Sequence, residues 1–447
     1  MVARVTRATP PVGPLETADI LAAMGLAANQ SRHVLDGGAR LLTAVLPDRA
    51  SASLVLMFGV GSRTESDHIA GASHFIEHLL FKGTRRRPTA KLIAEAIEGV
   101  GGMINASTDK EITAYWARVP ADSLALAVEV LCDIVTDSQL APDDVERERM
   151  VILEELKMYL DQPQDYVHSL FEDTLWPGHP LGRDIIGSIE SVSSTTRDDL
   201  IGYIARHYAA PNLVVGVAGS FAPDQIVDLI SPHLRLPSVL EPSPIDAPTA
   251  PTEARLHLLN RKTEQAHICL GTSAVSYHDP ERHALDLLNC VLGEGMSSRL
   301  FLEIRERRGL AYDVHSFTSK HRDAGYFGVY MGVDPKKAAE AVQAVRQEMT
   351  RLAREPILEP ELIKAKEFTK GRLKLSLEGT NSLASWLCQQ ELLLGRIKTV
   401  AEVVETIDGL TAEDLQRVAE RVLTQPVQMA VIGPFAKESA LRSAIDA

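Results

Sequence analysis

The side chains best suited to chemistry in this sequence stand in one short run, from His74 to His78, that reads H-x-x-E-H. On an α-helix, at about 100° per residue, both imidazoles and the carboxylate of Glu77 leave the helix within one arc of about 100°. Two imidazoles one turn apart can bind one metal ion, and a catalytic zinc takes three protein ligands plus an open position for water. The run therefore predicts two of three zinc ligands, although a random chain of this length contains the pattern about 3% of the time.

A second group of acids stands on the predicted helix over residues 145–160. Its apolar residues form one stripe, and Glu148 and Glu155 border that stripe, whereas Glu154 faces away from it. An acid beside the buried face of a helix can reach a neighbouring element, so Glu148 and Glu155 are candidates for the missing ligand. Solvated charge is the ordinary explanation for a glutamate on a helix, and the spacing alone leaves it open.

H-x-x-E-H followed by Glu155 is similar to the pattern of the inverted-motif zinc peptidases of the pitrilysin (M16) family. The resemblance covers most of the chain and includes blocks from both halves. Four blocks stand in the family's order: GSRTESDHIAGASHFIEHLLFKGT, GGMINASTDKEITAYW, ERERMVILEELKMYLDQPQD and SSRLFLEIRERRGLAY.

The resemblance implies a role for each residue of the candidate metal site. His74, His78 and Glu155 would bind Zn²⁺, and Glu77 would be the general base that takes a proton from the attacking water. Glu148, two turns before Glu155, would orient one of the ligands. These roles agree with the chemistry, because a carboxylate beside zinc can accept a proton and return it to the leaving amine.

A substrate-binding segment also follows from the resemblance. Asn105, Ala106, Ser107 and Thr108 match the family segment that forms an edge strand beside the metal, where an extended substrate pairs with the strand. An ordinary hairpin explains these residues equally well, because two glycines just before them are a turn signal.

Two residues of the second half match the family's residues that reach across the cleft. Arg305 and Tyr312 would hold the substrate carbonyl and stabilise the oxyanion. Arg305 stands among Arg299, Arg307 and Arg308, so a solvated helix face is the alternative.

The chain divides into two similar halves. Residues 240–252 are rich in Pro, Ser and Thr and predict a linker between a metal-binding half at 31–239 and a second half at 253–447, with an N-terminal extension at 1–30. The order of strands and helices repeats, and it does not alternate as a doubly wound sheet requires. We therefore predict a duplicated α+β architecture in which each half is a mixed β-sheet covered by helices and the halves enclose a central cleft.

The second half lacks the metal-binding residue types. Alignment of the halves places Asp286, Asn289 and Cys290 opposite the H-x-x-E-H residues, and Leu373 opposite Glu155. We therefore expect one zinc site in the chain.

The composition excludes several classes of protein. The chain has 447 residues, with 46 Lys and Arg against 60 Asp and Glu, so its formal net charge is −14. An acidic surface disfavours nucleic acids and anionic lipid, and the apolar runs are too short to cross a membrane. The four cysteines stand singly in apolar surroundings, which predicts buried reduced thiols. No secretory segment is evident, so we expect a cytoplasmic protein.

These features favour a zinc endopeptidase that cleaves extended peptides in a cleft between the halves. The alternative is a noncatalytic or partner-dependent subunit of a two-chain processing peptidase, since the family includes chains that keep the fold without the metal. Chains of this length in the family act in pairs, so we expect a homodimer or a heterodimer with a related subunit.

Overall fold

Two mixed β-sheets covered by helices form the described part of the chain. The structure, a computed structural model, describes residues 30–239 and 246–446, so the predicted extension, except for residue 30, and residues 240–245 of the predicted linker lie outside it. The first sheet contains β1 (Gln30–Val34), β2 (Arg40–Val45), β3 (Ser51–Phe58), β4 (Met103–Thr108), β5 (Thr113–Pro120) and β6 (Leu213–Gly219). The second sheet contains β7 (Arg255–Asn260), β8 (Ala266–Ser273), β9 (Ala311–Lys320), β10 (Gly325–Val333) and β11 (Gln428–Gly433).

The α-helices lie between and after these strands. Those of the first half are α1 (Ala72–Leu80), α2 (Ala90–Glu98), α3 (Leu124–Thr136), α4 (Pro142–Leu160), α5 (Pro163–Leu175), α6 (Ile189–Ser194), α7 (Arg197–His207) and α8 (Ile226–Ile230). Those of the second half are α9 (Arg282–Gly293), α10 (Ala338–Arg354), α11 (Glu359–Ser376), α12 (Thr380–Leu394), α13 (Val400–Gly409), α14 (Ala412–Leu423) and α15 (Ser439–Asp446).

The two sheets have the same topology. The strand order is β1-β2-β6-β3-β5-β4 in the first and β7-β11-β8-β10-β9 in the second. Each sheet has one parallel pair, β2 with β6 and β7 with β11, and the other neighbours are antiparallel. Strands β2 to β6 thus correspond in order to β7 to β11, and β1 is additional. The predicted duplicated architecture is confirmed.

Each sheet packs on one face against a helix from the other half. Helix α12 of the second half places Leu383 and Leu387 in a buried cluster with residues of β2, β3 and β6. Helix α5 of the first half places Phe171 in a buried cluster with residues of β8, β10 and β11. A Cβ atom on Gly216 would lie 2.6 Å from Cys388 Sγ, so glycine lets α12 approach β6 closely. One helix of each half therefore packs on the sheet of the other half. The sequence analysis did not predict this arrangement.

The remaining structural predictions concern membranes and cysteines. Among the helices of residues 30–239 and 246–446, none is both long and apolar enough to cross a membrane. All four cysteines are unpaired and buried, as predicted.

Candidate active site

Helix α1 presents His74, Glu77 and His78 at its partly exposed side. Phe75, Ile76 and Leu79 are buried in the core of the first half, which fixes the face that α1 turns outward. The helix begins after Gly71, whose φ of 95° lies in the left-handed region that favours glycine. The carboxylate of Glu65 accepts hydrogen bonds from two backbone N–H groups of this first turn and so takes the place of a capping side chain.

The three predicted metal ligands meet at one point between α1 and α4. His74 Nε2 lies 3.8 Å from Glu155 Oε1, and His78 Nε2 lies 3.6 Å from Glu155 Oε2. All three ligand atoms lie within 4.8 Å of one another. Two ligand atoms on one tetrahedral zinc are separated by roughly 3.4 Å, so the residues present fit a zinc ion after a small contraction. In the described ranges no other group of three or more His, Cys, Asp or Glu residues brings its ligand atoms this close together.

The protonation of His74 favours metal binding. Burial, with a smaller contribution from the neighbouring His78, lowers the pKa of His74 to about 4. The imidazole is therefore neutral near pH 7, which is the form that binds zinc.

Glu77 stands beside these ligands but has a different partner. Thr108 Oγ1, at the end of β4, donates a short hydrogen bond to Glu77 Oε2. Burial raises the pKa of the Glu77 carboxyl, while the hydrogen bond from Thr108 lowers it. A carboxylate with a raised pKa, fixed by one donor, is suited to accept a proton near neutral pH.

The predicted substrate segment lies on an edge strand. Asn105, Ala106, Ser107 and Thr108 belong to β4, whose neighbour in the first sheet is β5. Asn105 and Ser107 are exposed, and the alternate residues are half-buried against the helices. Because Thr108 holds Glu77, the end of this strand lies directly beside the predicted base.

Glu148 supports the site from behind His78. Its Oε2 lies 3.2 Å from His78 Nδ1, and its Oε1 accepts from Lys82 Nζ at 2.7 Å. The Glu148 side chain is 8% exposed and Glu155 is 48% exposed, so the helix places the first in the interior and the second towards solvent. The Glu148 carboxylate can accept a hydrogen bond from Nδ1–H and so leave Nε2 of His78 free for a metal.

Lys82 is a residue that the sequence analysis missed, and its loss should weaken metal binding. We expect Lys82→Met to raise the dissociation constant for zinc about tenfold, because Glu148 would lose the cation that fixes its orientation. Competition with a chromogenic chelator measures this constant. Lys91→Met is the matched control, since Lys91 forms an exposed pair with Glu95 on α2. Equal zinc affinity in both variants would contradict the role of Lys82.

Arg305 and Tyr312 contact each other in the second half. Arg305 lies in a π-helical turn, Phe301–Arg307, and its guanidinium carbon lies 5.1 Å from the centre of the Tyr312 ring. Tyr312 is 76% exposed. Within the described residues, neither side chain forms a hydrogen bond or ion pair with the α1 or α4 residues. The cross-cleft role of these two residues therefore stays a prediction.

The neighbouring arginines differ from Arg305 in their partners. Arg299 pairs with a glutamate on α11, and Arg307 and Arg308 both pair with Glu303. Across the part of the chain that the structure describes, Arg305 has no carboxylate partner. Its guanidinium remains available for another acceptor, and a solvated helix face stays the alternative.

At the equivalent positions of the second half, the side chains make contacts within that half. Asp286 pairs with Lys320, and Asn289 accepts from Ser316. Cys290 is buried in the core of the second half.

Fold and site together define a class of protein: a duplicated α+β protein in which one half brings two histidines and a glutamate to one point beside a further carboxylate. Family comparisons agree with this class. The model for insulinase, peptidase family M16, matches residues 40–188, and that for the peptidase M16 inactive domain matches residues 194–368. The chain belongs to the M16 peptidase family.

Individual relatives extend over nearly the whole chain. An uncharacterized zinc protease of Streptomyces coelicolor is 39% identical over 419 residues, which cover 92% of this chain and 91% of the relative. One of Bacillus subtilis is 34% identical, with 90% of this chain and 98% of the relative covered. The fold is similar to the crystal structure of a protease from Helicobacter pylori, with a TM-score of 0.85, 24% identity, and coverage of 91% and 99%.

Proposed function

We propose that the protein is a zinc-dependent endopeptidase that hydrolyses extended peptides. The observation that carries the proposal is the convergence of His74, His78 and Glu155 beside Glu77, which is itself fixed by Thr108. A cluster with a purely structural role would not need a further carboxylate, Glu77, fixed by its own hydrogen bond from Thr108.

The chain's own residues supply most of the proposed chemistry. Zinc, when bound by His74, His78 and Glu155, would act as a Lewis acid that polarises a carbonyl and lowers the pKa of water to about 7. Glu77 accepts a proton from the water that attacks the scissile carbonyl carbon, and it returns that proton to the leaving amine. Thr108 keeps the carboxylate in one orientation during both transfers.

The β4 strand orients the substrate. Strand β4 lies at the edge of the first sheet, so an extended peptide can add as a further strand. Backbone pairing reads little sequence, and we therefore propose broad specificity for peptides in extended conformation.

Metal dependence tests this proposal. Removal of zinc with a chelator should abolish cleavage of an unstructured fluorogenic peptide, and one equivalent of Zn²⁺ should restore it. Undiminished cleavage by metal-free protein would rule out the proposal.

A second candidate is a subunit that needs a partner or a closing movement before it is active, since Arg305 and Tyr312 form no hydrogen bond or ion pair with the described residues of α1 or α4. We propose that the chain acts as a homodimer or with a related subunit. Full activity of a dilute monomer would contradict this.

The unpaired cysteines favour a reducing compartment, and we propose the cytoplasm.

Substitutions in the second half test the cross-cleft role. We expect Arg305→Ala and Tyr312→Phe to lower kcat by about 10²-fold, as for loss of one oxyanion donor, with zinc retained. Steady-state kinetics and metal analysis measure both quantities. Arg307→Ala is the control, because Arg307 is exposed and paired with Glu303. Loss of zinc in either variant would refute the role.

A further inference from the structure

We propose that a hairpin turn of the second half positions the proposed active site of the first half through a buried group of charges. The inter-half cluster consists of Arg63 and Glu111 from the first half and of Arg322 and Asp323 from the turn between β9 and β10. The inference rests on the proposed peptidase function, because it assigns these groups the task of holding Glu77 and its surroundings.

Short polar contacts hold the inter-half cluster together. Arg63 Nη1 donates to Glu111 Oε1 at 2.6 Å, and Nη2 donates to Asp323 Oδ2 at 2.7 Å. The backbone N–H of Arg322 donates to Glu111 Oε2 at 3.0 Å. The side chains of Arg63 and Glu111 are 3% and 9% exposed, so water can replace little of a partner that is lost.

The first connection to the active site runs through the start of α1. Arg63 precedes Glu65 by two residues, and Glu65 accepts from the backbone N–H groups of Gly71 at 2.7 Å and Ser73 at 2.6 Å. Ser73 is followed directly by His74. A shift of the Arg63 segment would therefore move the first turn of the helix that carries the metal ligands.

The second connection runs through β4. Glu111 lies in the turn after β4, three residues beyond Thr108, whose hydroxyl holds Glu77. This turn packs tightly against the Arg63 segment, because a Cβ atom on Gly61 would lie 2.0 Å from the carbonyl oxygen of Asp109. The cluster thus contacts both the segment that leads into α1 and the turn that follows β4.

This arrangement gives the half without metal ligands a part in catalysis. Asp323 and Arg322 belong to a turn of the second half. The Asp323 carboxylate and the backbone N–H of Arg322 nevertheless complete a cluster whose other members adjoin α1 and β4. Arg63, Glu111 and Asp323 are therefore positioning residues. A cluster that only joined the halves would change stability without acting through Glu77.

The first test compares two substitutions in the second half. We expect Asp323→Asn to lower kcat about tenfold while KM changes less than twofold and bound zinc remains at wild-type stoichiometry. Asp286→Asn is the matched control: it breaks a pair with Lys320 within the second half, and the two aspartates are similarly exposed, at 35% and 33%. Equal kcat values for Asp323→Asn and wild type would overturn the proposal.

A double-mutant cycle distinguishes positioning from general destabilisation. If the cluster acts on Glu77 through β4, Asp323→Asn should lower kcat less than twofold in a Thr108→Val background, because the contact to Glu77 is already lost. The same tenfold loss in both backgrounds would show that the effect does not pass through Thr108. That result would refute the second connection, the one through β4.

Hydrogen exchange tests the connection without any activity. Asp323→Asn should increase amide exchange in residues 61–74 and 103–112, whereas Asp286→Asn should leave them unchanged. Unchanged exchange in both variants would overturn the proposal. Absence of cleavage by zinc-loaded wild type would instead contradict the proposed function, so the two failures are distinguishable.

Discussion

Replacing Glu77 by glutamine is expected to lower kcat by about 10²- to 10⁴-fold, the contribution typical of a general base. The amide keeps the size of the side chain but cannot accept the proton of the attacking water. It removes no metal ligand, since His74, His78 and Glu155 are unchanged. Zinc stoichiometry and Tm should therefore stay close to the wild-type values, and metal analysis with calorimetry would measure them.

The control for this prediction is Glu154→Gln. Glu154 lies on α4 next to a proposed ligand, but its side chain is 64% exposed and pairs with Lys157. It should keep full activity. A Glu77→Gln variant that lost its zinc would show that Glu77 is a ligand and would overturn the division between base and ligands.

Replacing His78 by alanine is expected to abolish zinc binding as well as activity. The substitution removes one of three ligands and leaves Glu148 without the imidazole that it faces. We expect the dissociation constant for zinc to rise more than about a hundredfold, beyond the effect of losing a supporting hydrogen bond. Titration against a chelator of known affinity measures this change.

His179→Ala is the matched control, because the His179 ring contacts the backbone oxygen of Asp246, outside the candidate site. Its zinc affinity should equal that of the wild type. Wild-type zinc stoichiometry in His78→Ala would contradict the proposed ligand set.

The local part of the site could be predicted from the sequence because it depends on helical geometry. His74, Glu77 and His78 share one side of α1 for reasons of spacing alone, and the same argument selected Glu148 and Glu155 on α4. The spacing placed both glutamates at the border of the apolar stripe. It could not show that Glu148 is buried, because that depends on Lys82 and His78 lying opposite it.

The missed features all depend on contacts between distant parts of the chain. Lys82 follows the end of α1, so helical spacing does not describe where its ammonium group lies. Arg63 and Asp323 are far apart in sequence, and nothing in their local pattern indicates a shared cluster. The packing of α5 and α12 on the sheets of the opposite halves also depends on such contacts. Each helix has an apolar face, and that face could equally well have packed against its own half.

Cleavage of a mixed pool of peptides of roughly 15 to 30 residues tests the central claim most directly. Zinc-loaded wild type and Glu77→Gln would be incubated with the pool in parallel, and mass spectrometry would identify the fragments. We expect fragments from the wild type that are absent with Glu77→Gln, and the cleavage sites would give the preference of the enzyme. No fragments from either protein, with zinc confirmed bound and the pool repeated at high protein concentration, would contradict the peptidase proposed for this chain.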